Sequence, residues 1–501
     1  MTQPKRGIRP APAVRVRTLG GGGEARPNSG DYVLYWMVAQ RRARWNFALQ
    51  HAASHAERLG KPLVVLEALR IGYPHACDRF HHFIIDGMAD NAARFAAAGV
   101  RYLAYLEREP GAGKGLLAAL ADRACVVVSD EFPCFFVPRM QEAAARQISA
   151  ALELVDGNGI IPLRAADSAF TTAHSFRRFV QRCGVEHLLT MPLADPLARL
   201  AGARKPRLPT GLRERWPLAR SSELGSKRGF LEDLAIDHTV ARAPDRGGSI
   251  AGERRLHEFL SEQLDAYPDQ RNHPDRQATS QLSPYLHFGH LGAHQLVAEL
   301  LEREDWDPGR LGDVRVTRGA RSGWWGVSSA AEAFLDQAVI WRELGQQFCW
   351  HTPNYADYAS LPAWARTTLA EHRHDPRPER YTLSQLEAAE TGDPIWNASQ
   401  RQLLIEGRIH NYLRMLWGKK ILEWSATPKQ ALERMILLND KYALDGRDPN
   451  SYSGICWVLG RFDRAWGPQR PIFGKIRYMS SAQARKKLQL DDYLRRFGPP
   501  N

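Results

Sequence analysis

Residues 396–457 read WNASQRQLLIEGRIHNYLRMLWGKKILEWSATPKQALERMILLNDKYALDGRDPNSYSGICW. Four tryptophans stand in this stretch, and its second half is dense in Asp and Asn. Trp417 and Trp424 are seven residues apart in a segment of helical periodicity, so they share one helix face two turns apart. Tryptophans at that spacing ordinarily pack a core. The residues after them point further. Of residues 439–450, seven are Asn, Asp, Gly or Pro, set between two apolar runs. A loop so rich in hydrogen-bonding side chains, beside tryptophans, predicts a pocket for a polar, planar ligand.

The helical rhythm extends outward from there. From Gly252 nearly to the C-terminus few strand-like runs occur, and 11 of the 14 tryptophans lie from Trp306 onward. Residues 251–501 are therefore expected to form a mainly α domain. Upstream the pattern changes. Apolar strands at 31–37, 62–68, 100–106, 124–130 and 152–163 alternate with helical segments at 46–59 and 78–98. That alternation predicts a doubly wound parallel sheet of Rossmann-like type over 31–165. Such sheets take ligands beyond the strand carboxyl ends, where Trp36-Met37 and Asp130-Glu131 fall. Residues 166–250, rich in Arg, Pro, Gly and Ser, read as an interdomain linker, and 1–30 as a disordered basic tail.

A chain of 501 residues exceeds one ordinary core, in line with two domains. No apolar run approaches the ~20 residues that span a bilayer, and the N-terminus lacks the apolar region of a secretory signal. Six cysteines without a CxxC pair suit reduced thiols in a cytoplasmic protein, not a zinc site. The net charge of +13 is concentrated: six Lys/Arg against one acid in 1–30, nineteen against nine in 401–501, and a nearly neutral body between. A basic C-terminal region fits either a polyanion binder or a solvated face. Gly111–Gly115 is no P-loop, because Arg108 stands where the first glycine belongs. His51 and His55, at i and i+4, lack an evident third metal ligand, so no metal is expected. Thr279, Ser280 and Ser283 precede a helical run and suit either a phosphate or plain N-capping.

The segments LNDKYALDGRDPN (438–450), KKILEW (419–424), DPIWNASQ (393–400), KIRYMS (475–480) and QLSPYLHFG (281–289) resemble the class II cyclobutane pyrimidine dimer photolyases of the photolyase/cryptochrome family. The likeness runs from about Asp31 onward. It implies a helical FAD-binding domain and a monomer that repairs such dimers in DNA, using light and reduced FAD, with no membrane or protein partner. A second, antenna chromophore of deazaflavin or folate type stays open. So does the alternative of a cryptochrome-type photoreceptor without repair.

The resemblance also implies residue roles. Tyr267 and the loop Thr279, Ser280, Gln281, Leu282 and Ser283 hold the FAD pyrophosphate. Asn439 faces the flavin, with Arg414, Asp445 and Asp448 close by, the first two as a buried ion pair. Trp417, Trp396 and Trp424 carry electrons, in that order outward from the flavin. Trp341 and Trp457 floor the lesion pocket, where Gln337 stands in place of the family's Glu. A Gln amide donates a hydrogen bond but supplies no proton. Arg271, Arg464, Trp466, Lys475 and Arg477 contact DNA.

Overall fold

A computed structural model of the chain describes residues 7–20, 30–200, 206–225 and 229–499. These divide into two compact units: Met1–Ala165 with Glu186–Leu256 and Leu282–Glu299, and Ala166–Val185 with His257–Gln281 and Leu300–Asn501.

The first unit is built on a six-stranded sheet of order β1-β6-β5-β2-β3-β4. Its strands are β1 (Val16–Leu19), β2 (Tyr32–Met37), β3 (Leu63–Leu69), β4 (Arg101–Leu106), β5 (Ala124–Glu131) and β6 (Leu152–Asp156). All neighbours are parallel except β1, which runs antiparallel on β6. The strands read as continuous apolar runs because both faces are covered. Val33, Tyr35 and Met37 of β2 pack on one side against α1 (Phe47–Leu59) and Phe95 of α2 (Asp78–Ala97). Tyr32, Leu34 and Trp36 pack on the other against Leu116 and Leu120 of α3 (Leu116–Ala121) and Ala145 of α4 (Val137–Ala145). Each large apolar side chain so buried contributes about 1.5–3 kcal/mol. Asn46 caps α1 by accepting from the Leu49 N–H at 3.0 Å.

Strand order reverses between β2 and β5, the usual place for a ligand. The acids there are engaged by the chain itself. Asp130 accepts from the backbone N–H groups of Val38, Ala39 and Gln40 at 2.8–2.9 Å and from the Tyr35 hydroxyl at 2.6 Å. Glu131 pairs with Arg17 and Arg164.

The expected tail and linker are corrected by the structure. Of residues 1–30, positions 1–6 and 21–29 lie outside the described residues, but 7–20 are not a disordered tail. They supply β1, and they bury Arg15, whose guanidinium donates to the carbonyls of Asp156, Gly159 and Ile160 at 2.6–3.2 Å. A short strand satisfied by β6 needs no long apolar run of its own. Of 166–250, residues 201–205 and 226–228 lie outside the described residues. The rest is divided between the two units. Its helix Ala173–Cys183 begins with a capping box at Thr172 and buries Arg177 and Gln181 in polar contacts. Residues 282–299, expected in the helical domain, group with the sheet.

The second unit is helical. Among the described residues no helix is long and apolar enough to cross a membrane. None of the six cysteines is in a disulfide, and five are buried.

Candidate active site

The helix Asn411–Trp424 carries Trp417 and Trp424, and Pro394–Glu406 lays Trp396 against both. The Trp396 ring is parallel to Trp417 within 1° at 6.5 Å, and meets Trp424 edge-on at 5.4 Å. Trp396 is thus the middle member of a three-ring series. Its indole N–H donates to the Trp417 carbonyl at 3.0 Å, while the Trp417 indole donates to Gln400 Oε1 at 2.9 Å. Asp393 caps the Trp396 helix through the Ile395 and Trp396 N–H groups. These bonds fix ring positions that heptad spacing alone leaves loose.

The helix Ser329–Leu335 runs into a π-helical turn, Asp336–Trp341, before Arg342–His351 resumes. Such turns insert an extra residue and re-aim side chains, often at functional sites. This one presents Gln337 and Trp341, both half-buried. Trp341 stacks on Trp457 of the helix Pro449–Val458, with centroids 4.5 Å apart and planes 18° apart. Asp336 turns inward to Arg177, Nε to Oδ1 at 2.8 Å. Asp336 is therefore committed, and Gln337 is the polar group left beside the platform.

The polar stretch 439–450 is only partly a loop. Asn439–Tyr442 close the helix Pro428–Tyr442, and Asp448 caps the next helix through the Asn450 N–H at 2.9 Å. Asp440 explains the tight turn: Oδ1 accepts from the Arg447 N–H at 3.0 Å and Oδ2 from the Tyr452 hydroxyl at 2.9 Å. Asn439 Nδ2 donates to Ser451 Oγ at 2.6 Å and to Asp440 Oδ1 at 3.2 Å. Both donors are thereby used, and the amide oxygen is the group Asn439 has left to offer. Arg414 pairs with Asp445 at 2.9 Å, with side chains 27% and 9% exposed. The expected buried pair is thus open on its cationic side.

Tyr267 is buried between Phe259 and Phe334, and the Arg271 guanidinium lies 5.3 Å from its ring. Burial pushes the Tyr267 hydroxyl pKa up. In the following loop, Gln277 and Gln281 adopt left-handed backbones, φ 46° and 57°, on either side of Thr279 and Ser280. For non-glycine residues such strain marks a loop held by its surroundings. Leu282 and Ser283 group with the sheet unit, the rest of this loop with the helical one. Toward the C-terminus, the guanidinium groups of Arg464 and Arg477 lie 4.7 and 5.3 Å from the Trp466 ring. The Lys475 carbonyl accepts from the Trp466 N–H at 2.9 Å. Arg464, Lys475 and Arg477 are exposed, three cations about an indole whose N–H donates to Asp463 Oδ1 at 3.1 Å.

Residues 334–422, which hold the π-turn and two of the three relay rings, match a family model described as the FAD binding domain of DNA photolyase. The deoxyribodipyrimidine photo-lyase of Methanothermobacter thermautotrophicus is 33% identical over 97% of this chain and 98% of its own length. The chain belongs to the photolyase family. Photolyases of Oryza sativa and Potorous tridactylus are 32% and 30% identical, over 96% and 98% of this chain and 89% and 87% of theirs. A class III photolyase structure from Agrobacterium tumefaciens shares the fold, with TM-score 0.66, 18% identity, and 94% and 87% of the two chains covered.

FAD is the cofactor of this family, and the photolyase's own residues fit it. Gln346, 2% exposed on the helix after the π-turn, leaves both amide atoms without a partner. Gln400 Nε2 and Arg271 Nη1 are likewise buried and unpartnered. Orphaned polar atoms of this kind call for a polar guest. Sequence reasoning missed Gln346, since a Gln in the mixed helix Arg342–His351 gives no signal of burial. It also missed Arg177, which lies 159 residues from its partner.

The third neighbour of His51 and His55 was missed too: it is Glu153, at 2.9 and 2.8 Å. The hydrogen bonds nevertheless argue against a metal. The Ala11 N–H donates to His51 Nδ1, and Arg58 Nη2 lies 2.7 Å from His55 Nδ1. Both Nε2 atoms therefore hold the ring proton and donate to the carboxylate, whereas a ligating His donates from its other nitrogen.

Proposed function

We propose that this protein repairs cyclobutane pyrimidine dimers in DNA by light-driven electron transfer, in the manner of the class II photolyases. The observation that carries the reading is the Trp341–Trp457 stack at 4.5 Å, whose Trp341 shares the π-turn with Gln337. Two half-exposed indoles offer the flat apolar surface that an extruded dimer needs. A dimer is already poorly stacked, so flipping it costs less than flipping normal bases, and aromatic packing offsets the cost.

Held by the residues of this site, reduced FAD would supply the light-driven electron chemistry that opens the dimer with no net redox change. The chain's residues do the rest. Asn439, its Nδ2 tied to Ser451 and Asp440, presents an acceptor oxygen to a reduced flavin N–H. The Arg414–Asp445 pair, Gln346 and Tyr267 hold the cofactor, with Asp448 fixing the helix start beside them. Gln337 donates a hydrogen bond to the dimer but no proton. Arg271, Arg464, Lys475 and Arg477 bind phosphates without reading sequence, which suits repair anywhere in a genome. Trp417, Trp396 and Trp424 reduce the flavin when it is oxidised. Cysteines held outside disulfides support a cytoplasmic setting.

The test is a dimer-containing oligonucleotide with reduced holoprotein, lit and dark. Light-dependent loss of dimers is expected. Trp341→Ala should weaken dimer binding by about 1–3 kcal/mol, the worth of one base stack. No light-dependent loss of dimers overturns the reading.

A further inference from the structure

A cleft of about 400 Å³ opens beside Trp424, the outer end of the ring series. Glu379, Asp393, Ile395, Lys420, Ser481 and Arg485 line it with the indole. Trp424 is otherwise covered, at 2% exposure, by the Tyr381 ring at 4.9 Å and by Lys420 Nζ at 5.4 Å. Lys420 is itself ion-paired with Glu423 at 2.9 Å, so its charge is largely offset at the indole. A vacancy reaching Trp424 runs back inward unless a donor sits close enough to fill it.

The charges of the cleft say which donor. Asp393 is engaged by the Ile395 and Trp396 N–H groups, by the Ser481 hydroxyl and by Lys420 Nζ at 3.6 Å. Lys420 is also held by Glu423 at 2.9 Å, and Glu379 accepts from the Tyr381 hydroxyl at 2.9 Å. The exposed guanidinium of Arg485, by contrast, makes no ion pair or hydrogen bond among the described residues. Lys486 and Lys487 follow it in the last turn of the helix Ser481–Lys487. Arg485 is thus a cation at this mouth without an ion pair, as Glu379 is, among the described residues, a carboxylate without one, and a planar guanidinium matches a pair of neighbouring oxygens.

We propose that this cleft binds a small anionic enediol reductant, the class ascorbate represents, and passes its electron to Trp424. The inference rests on the tryptophan relay reading above. One electron leaves the bound enediolate and fills the vacancy on the indole. The donor's remaining enol proton goes to water, and no covalent bond to the protein forms. Arg485 binds the donor.

The experiment follows light-driven flavin reduction in the holoprotein against the concentration of ascorbate, with uncharged dithiothreitol as comparison. Wild type is expected to saturate with ascorbate and not with dithiothreitol. Arg485→Gln should lose the saturation and slow roughly tenfold at low ascorbate, the worth of one charge-assisted hydrogen bond. Its dithiothreitol rate and its repair after chemical reduction should not change. In the dark, saturation-transfer NMR should detect ascorbate on the wild type and not on the variant. A linear ascorbate dependence in wild type, or an Arg485→Gln response equal to it, overturns the cleft. Trp417→Phe separates the two readings. If it blocks reduction while Arg485→Gln behaves as wild type, the cleft alone fails. If reduction survives it with both donors, the relay fails and takes the cleft with it.

Discussion

Arg177 and Asp336 form a buried pair, Nε to Oδ1 at 2.8 Å, while Arg177 Nη1 donates to the Gly319 carbonyl at 3.2 Å. Asp336 begins the π-turn that presents Gln337 and Trp341, so this pair fixes where the turn starts. Arg177→Met leaves a buried carboxylate without its partner and should cost about 3–5 kcal/mol. Replacing both residues, Arg177→Met with Asp336→Leu, should recover most of that. Denaturant unfolding of the three proteins checks it; a single variant within about 1 kcal/mol of wild type shows that the pair contributes little.

The ring series predicts a separation of two activities. Trp396 touches both neighbours, and its removal breaks the only ring contact between Trp417 and Trp424 that the described residues provide. Trp396→Phe should all but stop light-driven flavin reduction by external reductants. It should leave the lit repair rate of chemically reduced enzyme near the wild-type value. Equal photoreduction in variant and wild type would place the electron path elsewhere.

Much of this was legible in the chain because local rules governed it. The apolar strands, the helix over 46–59 and the seven-residue spacing of Trp417 and Trp424 are short-range signals that tertiary packing did not override. What stayed hidden was long-range or composition-blind. Arg15 reads as part of a basic tail until three carbonyls more than a hundred residues away accept its protons. Arg177 and Gln181 read as linker for the same reason, their partners lying near residues 317–336. Asp336 and Gln337 are adjacent carboxylate and amide in sequence, and only the π-turn decides which faces inward. Asn439 looked like loop because Asn and Asp disfavour helix interiors; its contacts to Ser451 and Asp440 hold it in the last turn.

Lys419 is buried, donates to the Val458 carbonyl, and has its pKa lowered to about 7 by desolvation. Asp463 opposes that shift and Arg477 reinforces it. A base depressed in the folded state binds fewer protons folded than unfolded between pH 7 and the ordinary lysine value near 10.4. Stability from this group therefore rises with pH across that window, by up to about 1.4 kcal/mol per unit. Lys419→Met removes the term. The advantage of the variant over wild type in unfolding free energy should shrink from pH 7 to pH 9. A gap constant with pH would mean Lys419 keeps its charge when buried.

Arg464 and Arg477 flank Trp466 on an exposed surface, where they are proposed to meet DNA phosphates. Replacing either by Ala should weaken binding to all duplexes alike. The slope of log affinity against log salt should fall by about 0.9 for each phosphate that the variant leaves unneutralised. Titrations at several salt concentrations, on dimer-containing and intact DNA, test this. A loss confined to the dimer-containing duplex would instead assign these cations to the lesion itself.

Gln337 raises the last expectation. Its amide and a protonated carboxyl can both donate to a carbonyl, so Gln337→Glu should change dimer affinity by less than about tenfold. Only the carboxyl can also give up a proton to the charge that develops on the dimer. The variant should therefore repair more dimers per absorbed photon at low pH, where the new side chain is protonated. The gain should vanish as pH rises through the carboxyl pKa and leaves an anion facing a negatively charged dimer. Asp336 cannot replace it in either protein, because Arg177 holds that carboxylate away from the Trp341–Trp457 platform. Repair yields measured from pH 5 to 9 decide the point: a variant whose yield matches wild type throughout would mean that residue 337 does not reach the dimer.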